Sequence, residues 1–427
     1  MKKKHDPIKH LKYLRQSLSQ DNESIGFFIS AGCPLSVAMP NGKWPLIPDV
    51  ANLTKFINEQ LKDNDKYNIL LIELNKAERN TENIEDILSF LRSLLSVSKG
   101  GDVRGLTELD LKDLEKNICS EIVKKLNVSL PNKDTPYHRL GKWVRSIERK
   151  RAIEIFTTNY DLLVEESLED LEIPYFDGFS GSRRSFFDLR AVEDSLIPEH
   201  WTRLWKIHGS INWYQEKIDG QNKVYRSSEI KNDASHLIYP SHLKYEESRK
   251  MPYLALIDQL NRFIRKKSSL LVLSGYSFND GHLNDSIINA LKANPTGMVL
   301  GLMFGSYKMF INTDIYEKLN NIKWSINKNI LSLCDYQYHF EKISRTVERY
   351  PEAYRFANEQ HNLNIWTFDK AIIGTTLGDW DISLNKDEEP EIVSFVYTEK
   401  NKTNVKLGDF SEFTTFLKEI IGTDKEE

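Results

Sequence analysis

At 427 residues the chain exceeds the usual size of a single hydrophobic core, and 40% hydrophobic with 11% aromatic residues exclude a disordered polymer. Its 58 basic and 62 acidic side chains give a formal charge of -4, too balanced for a chain-wide field that would attract nucleic acid or an anionic membrane. No apolar run approaches the ~20 residues that span a bilayer and the start has no signal-peptide core, so a cytoplasmic protein without direct nucleic-acid or membrane contact is expected. Lys2-Lys3-Lys4 and the acidic end from Asp424 to Glu427 read as solvated termini. The three cysteines, Cys33, Cys119 and Cys334, include no Cys-x-x-Cys pair, which excludes a zinc site of four thiolates within one chain and suits a reducing compartment.

In chain order, Ile25 to Ile29 (IGFFI) is a short apolar run broken by SAGCPLS, a buried strand feeding a tight loop. Small residues there let backbone N–H groups approach a ligand, and a following helix N-terminus would favour an anion such as pyrophosphate; a plain turn is the other reading. Asn83 to Leu95 and Leu106 to Leu126 carry apolar residues at three-and-four spacing and form amphipathic helices of a helical insertion at about 80–135. A helix over Tyr137 to Ile147, a strand over Ala152 to Phe156, the turn TTNYD and a helix over Leu162 to Leu171 make a strand–loop–helix unit. The strand Leu204 to Ile207 ends in His208-Gly209-Ser210. After a helix over Tyr253 to Arg265, the strand Leu270 to Leu273 ends in Ser274-Gly275-Tyr276-Ser277, and Met298 to Phe304 supplies one more strand.

Each candidate loop follows the carboxyl end of a strand, which is where open parallel sheets place ligands. The expected fold is therefore a Rossmann-like α/β domain over 1–305 carrying the helical insertion. A smaller α+β domain is expected over 306–427, with strands at Asn364 to Phe368 and Ile392 to Tyr397 and a role in packing or assembly.

The order SAG, TTNYD, KIHGS, SGYSFND over about Ser24 to Phe304 resembles the sirtuin-like family, and the insertion together with LIYPSHLKY to LLVLSGYSFNDGHLND resembles its bacterial antiphage branch. The zinc module of the deacylases is missing. The resemblance implies NAD as substrate, no zinc, and hydrolysis to nicotinamide and ADP-ribose. It places Ala31 and Gly32 by the pyrophosphate and Asn159 and Asp161 at the nicotinamide side, with Ser30, Cys33 and Thr158 counted among the cofactor-binding residues of the same loops. His208 falls at the ribose, and Gly275 with Ser277 at the adenosine half; apart from the resemblance, Asp280 in the Asn279-Asp280-Gly281 turn can bind a ribose hydroxyl. The resemblance further implies a homo-oligomer partnered by a HerA-type hexameric ATPase or DNA translocase, and less readily by a short Argonaute. Two positions depart from the family pattern: Ser30 stands where the loop has its first glycine, and Thr158 where a glutamine amide would hold the ribose.

Cleavage of the nicotinamide–ribose bond develops positive charge on the ribose while the leaving group departs neutral. Asn159 can orient a water there, Asp161 can stabilise the charge or hold the carboxamide, and His208 can accept a proton. Each has a structural alternative: Asn159 and Asp161 as caps of the next helix, His208 as a core histidine, Gly209 and Asp280 as turn residues, Cys33 as a buried small residue. Trp205 and Trp213 either pack or line the pocket. An NAD glycohydrolase restrained until activated is the leading expectation. A non-catalytic NAD or ADP-ribose sensor stands second, and deacylation is disfavoured.

Overall fold

The computed structural model describes residues 7–40, 43–146, 148–218, 221–228, 236–238, 252–305, 308–309, 347–348, 351–359, 362–367, 370–373, 379–381, 396–399 and 402–421. Lys2-Lys3-Lys4, Ile147, most of LIYPSHLKY, Cys334, Phe368, residues 392–395 and the acidic end lie outside the described residues.

Among the described residues, nine strands form the central sheet: β1 (Ile25–Ile29), β2 (Glu154–Thr157), β3 (Tyr175–Phe176), β4 (Thr202–Lys206), β5 (Leu270–Ser274), β6 (Met298–Leu302), β7 (Leu363–Trp366), β8 (Lys370–Ile373) and β9 (Asp379–Asp381). Their spatial order is β9-β8-β7-β6-β5-β1-β2-β4-β3, with seven parallel strands from β7 to β3 and an antiparallel pair beyond β7. This is the Rossmann-like α/β arrangement. Strands β1, β2 and β5 are buried along their whole length, as parallel strands covered on both faces must be. The pleat divides them between two cores. Phe27, Ile155 and Val272 join one cluster, while Phe28, Phe156 and Leu273 join the other.

The helices among the described residues are α1 (Pro7–Leu18), α2 (Val50–Leu61), α3 (Asp65–Lys76), α4 (Ile84–Val97), α5 (Glu108–Leu126), α6 (Pro136–Ser146), α7 (Leu163–Asp170), α8 (Leu189–Glu193), α9 (Tyr253–Ile264), α10 (Gly281–Lys292), α11 (Pro351–Glu359) and α12 (Phe410–Ile420). The helical insertion is larger than the pattern at 80–135 suggests, because α2 and α3 pack with α4 and α5. Asn83 caps α4 by accepting the Glu85 N–H at 2.9 Å, and a Thr107/Asp110 capping box starts α5. Thr54 of α2 accepts the Ile84 N–H at 2.9 Å, and Arg92 of α4 pairs with Glu115 of α5 at 2.6 Å, so the insertion is one unit.

A second, five-stranded antiparallel sheet has no counterpart in the expected elements. It is built from Phe179–Ser180, Ser185–Phe187, Gly209–Ile218, Gln221–Arg226 and His236–Ile238. The chain passes from β4 into this sheet at His208, where Gly209 takes φ +93°, a conformation open to glycine at little cost. Of the stretch after residue 305, β7 extends the central sheet. Helix α12 packs on α6, with Tyr137 and Phe410 ring centroids 5.3 Å apart and Arg139 Nη2 donating to Ser411 Oγ at 2.8 Å. Of the strand expected at Ile392 to Tyr397, the described residues Val396 and Tyr397 lie in the strand Val396–Glu399, which pairs antiparallel with Lys402–Val405.

Candidate functional site

The register aligns Ile29 with Ser274 on one side and with Thr157 on the other, and Thr157 with Lys206. The loops after β1, β2, β4 and β5 therefore leave the sheet at one level. From β1 the chain continues to β2, β4 and β3 on one side, whereas β5, β6 and β7 lie on the other. The reversal falls between β1 and β5, the place where such sheets open a crevice.

A cavity of about 320 Å³ lies there. Of the residues expected at the site, Ser30, Ala31, Thr158, Asn159, Asp161, His208, Ser277 and Asp280 line it. Gly32, Cys33 and Gly275 instead form the joint beneath it. Gly32 N–H donates to Gly275 O at 3.1 Å, and Ser30 N–H to Ser274 O at 3.0 Å. A Cβ on Gly275, whose φ is +67°, would stand 2.6 Å from Cys33 N. The Cys33 thiol donates to Ser274 O at 3.2 Å, and burial pushes its pKa far above the ordinary thiol range, so it is a packed thiol rather than a nucleophile.

The TTNYD turn is tied to both neighbours. Thr158 Oγ1 and Ser30 Oγ are 2.7 Å apart, and Asn159 Nδ2 donates to Ser30 O at 3.3 Å. Ile211 N–H donates to Tyr160 O at 3.0 Å, which holds the turn against the strand that follows His208. Asp161 Oδ1 accepts the Leu163 N–H at 3.1 Å, so its carboxylate does support the start of α7. Burial raises the Asp161 carboxyl above its usual range, with nearby Lys206 pulling the other way. Lys206 is fully buried; its ammonium donates to Asp161 O and to Glu165 Oε1, the latter at 2.7 Å.

His208 is 9% exposed, and its Nε2 lies 3.4 Å from Asp280 Oδ2. Asp280 is the N-cap of α10, accepting the Leu283 N–H at 3.3 Å through its other oxygen. A turn sequence thus proves to be a helix cap whose second oxygen faces the histidine. The helix N-termini that reach the cavity do not include one directly after the β1 loop, where a four-residue 3₁₀ turn, Cys33–Ser36, intervenes. Three others reach it: α2, whose Val50 and Leu53 line the cavity while Asp49 accepts the Asn52 N–H, α4 through Asn83 and Glu85, and α10 through Asp280.

The sequence puts Tyr160 and Tyr276 in the site's loops without a role and does not assign Asn83 or Glu85 to the site, yet all four line the cavity. Asn83 carried a signal, since it begins a capped amphipathic helix, but nothing local places that helix over the β1 loop. Trp205 and Trp213 are buried in the core below; Trp205 Nε1 donates to Glu154 Oε2 at 2.8 Å and Trp213 packs on Phe179 at 4.9 Å. Among the described residues no group of three or more His, Cys, Asp or Glu is placed to hold a metal ion, and no helix is long and apolar enough to cross a membrane.

Residues 153–320 match the family model of the SIR2-like domain. The match supports the sirtuin-like resemblance and points to NAD-related activity, since domains of this kind are often NAD-utilising enzymes. It begins at β2 and so includes the TTNYD, HGS and SGYS loops, while the Ser30-Ala31-Gly32 loop is joined to them through the hydrogen bonds just described. No curated protein matches the chain.

Proposed function

We propose that the chain is an NAD glycohydrolase, cleaving NAD with water to nicotinamide, ADP-ribose and a proton. The observation that carries this reading is the pairing of His208 with Asp280 across a crevice whose other wall holds Asn159. An imidazole at this place can take the proton from an attacking water or a ribose hydroxyl, and the Asp280 carboxylate beside it can balance the charge that follows. Asn159 is fixed through its amide nitrogen to Ser30 O, which leaves its carbonyl oxygen as the group to orient that water. The buried Asp161 and the half-buried Asp280 of the crevice favour the positive charge that develops on the ribose as the C–N bond breaks. Nicotinamide leaves neutral, taking the electron pair of that bond. The water supplies the new C–O bond and its proton passes to His208.

An unrestrained enzyme of this kind would exhaust its own cell. The reading therefore includes restraint until a partner or an infection signal assembles the active form, as a cytoplasmic antiphage effector acting by NAD depletion. The partner proposed is a HerA-type hexameric ATPase acting on a homo-oligomer of this chain. The deciding experiment incubates purified protein with NAD, alone and with the product of the neighbouring gene, and assays nicotinamide and ADP-ribose. Equimolar release of both is expected. NAD that binds but stays intact under every activating condition would leave a binding protein and sink the enzyme.

A further inference from the structure

Away from the crevice, a larger cleft of about 1130 Å³ opens between α7 and the five-stranded sheet. Its charge is uneven. Glu165, Glu166, Glu169, Asp170, Asp177 and Glu216 line it, against the guanidinium groups of Arg183, Arg184 and Arg226. Two of those cations are already engaged, Arg226 with Asp177 at 2.5 Å and Arg184 with Glu216.

Glu165 is 8% exposed, and its two oxygens differ. Oε1 accepts from Lys206 at 2.7 Å, whereas Oε2 is buried with no hydrogen-bond partner. Asn212 Oδ1, on the opposite wall, is likewise a buried acceptor with no donor. Native proteins rarely leave such acceptors unmatched, because each retains the cost of losing its water. Both orphans are acceptors and their surroundings are net negative, so the missing group is a donor that carries positive charge. Burial holds the Glu165 carboxyl above its ordinary range even with Lys206 beside it, a penalty that a second cation at Oε2 would offset. Tyr175, Tyr214 and Tyr225 supply aromatic surface of the kind that accompanies such a group, and Arg184 already lies 3.9 Å over the Tyr225 ring.

We propose that this cleft is a second ligand site, taking an ammonium or guanidinium group that donates to Glu165 Oε2 and Asn212 Oδ1. The site is linked to the crevice through one buried side chain, since Lys206 binds both Glu165 Oε1 and the Asp161 carbonyl. A cation arriving at Glu165 therefore acts on the turn that bears Asn159 and Asp161. The ligand is either a free polyamine or a basic side chain of a protein.

Titration calorimetry on the full chain without NAD tests this, using spermidine for the first source and an acetylated, amidated Gly-Arg-Gly peptide for the second. Saturable binding of either probe is expected, and the probe that binds identifies the source. Glu165→Gln and Glu216→Lys should each weaken it about tenfold. The Glu216 side chain is 49% exposed, so its substitution keeps the fold and decides the matter if Glu165→Gln does not fold. Absence of saturable heat with both probes, heat that sodium chloride of equal ionic strength reproduces, or affinity unchanged in every variant that folds would overturn the proposal. None of these outcomes bears on NAD cleavage.

Discussion

Ser30 Oγ and Thr158 Oγ1 form a 2.7 Å hydrogen bond that joins the loop after β1 to the turn after β2. These are the two positions at which the sequence departs from the sirtuin-like pattern, and the structure places them against each other. A glycine and a glutamine could not make this bond; a serine and a threonine can. The pair is expected to behave as a unit. Ser30→Ala and Thr158→Val should each weaken NAD binding about 3- to 10-fold, the range for one hydrogen bond of roughly 1 kcal/mol, and the double variant should lose little more than either single one. Calorimetric NAD affinities for the four proteins check this. Fully additive losses would mean that the hydroxyls act separately.

Asp280 performs two tasks through two oxygens, capping α10 and facing His208. Substitution separates them. Asp280→Asn keeps a good N-cap and should leave the melting temperature near wild type, yet it removes the charge beside the imidazole and should lower kcat about tenfold or more. Asp280→Ala removes both and should also cost about 1 kcal/mol of stability. His208→Ala is expected to reduce kcat by about 100-fold or more with little change in stability. An Asp280→Asn enzyme with full kcat would reduce Asp280 to a cap.

Much of the sheet was legible because its strands are apolar runs with both faces buried, and such runs announce themselves without knowledge of their neighbours. The loops were legible for a related reason: Ser30-Ala31-Gly32 and Ser274-Gly275 are small residues directly after those runs. The His208–Asp280 pair carries no local signal, since a histidine after one strand and an N-D-G sequence after another become partners only when β4 and β5 end at the same level. The five-stranded sheet escaped for lack of a clean period, its strands being short or strongly polar, as in QEKI and QNKVYR. Helix α3 is a different case: its buried Tyr67, Leu70 and Leu74 carry the usual three-and-four spacing, a signal present in the sequence itself.

Gly32 and Gly275 cross closely enough that neither position tolerates a side chain. A Cβ on Gly32 would stand 2.8 Å from Gly275 Cα, and one on Gly275 would meet the Cys33 backbone in a left-handed conformation. Backbone cannot move aside as the end of a side chain can. Gly275→Ala is therefore expected to destabilise the fold by about 1–3 kcal/mol and to abolish measurable NAD binding by displacing the Ser30 loop. Urea denaturation beside NAD titration reads both. A variant of wild-type stability and affinity would show that the two loops separate at little cost.

Lys206 is the fully buried cation on which Asp161 and Glu165 both depend, and its removal has a pH signature. Both carboxyls are held above their ordinary range, by burial first, with Lys206 opposing. A carboxyl raised in the folded state holds its proton more tightly there than in the unfolded chain. Its stability contribution is thus full below the unfolded pKa and is lost as pH rises through the folded one. Lys206→Met takes away the opposing charge and raises both groups further, so at neutral pH each must either hold a proton that the unfolded chain has lost or carry an uncompensated buried charge. The expected loss there is about 3–5 kcal/mol. Lowering the pH through the raised pKa values toward the ordinary carboxylate range near about 4 protonates both groups in the folded state, so the gap between variant and wild type should narrow. Urea melts of the two proteins at about pH 7.5 and about pH 5 provide the comparison, and because every other titrating group is common to both, the difference isolates this cluster. A gap that is constant or widens on acidification would show that Lys206 supports the site by packing rather than by charge.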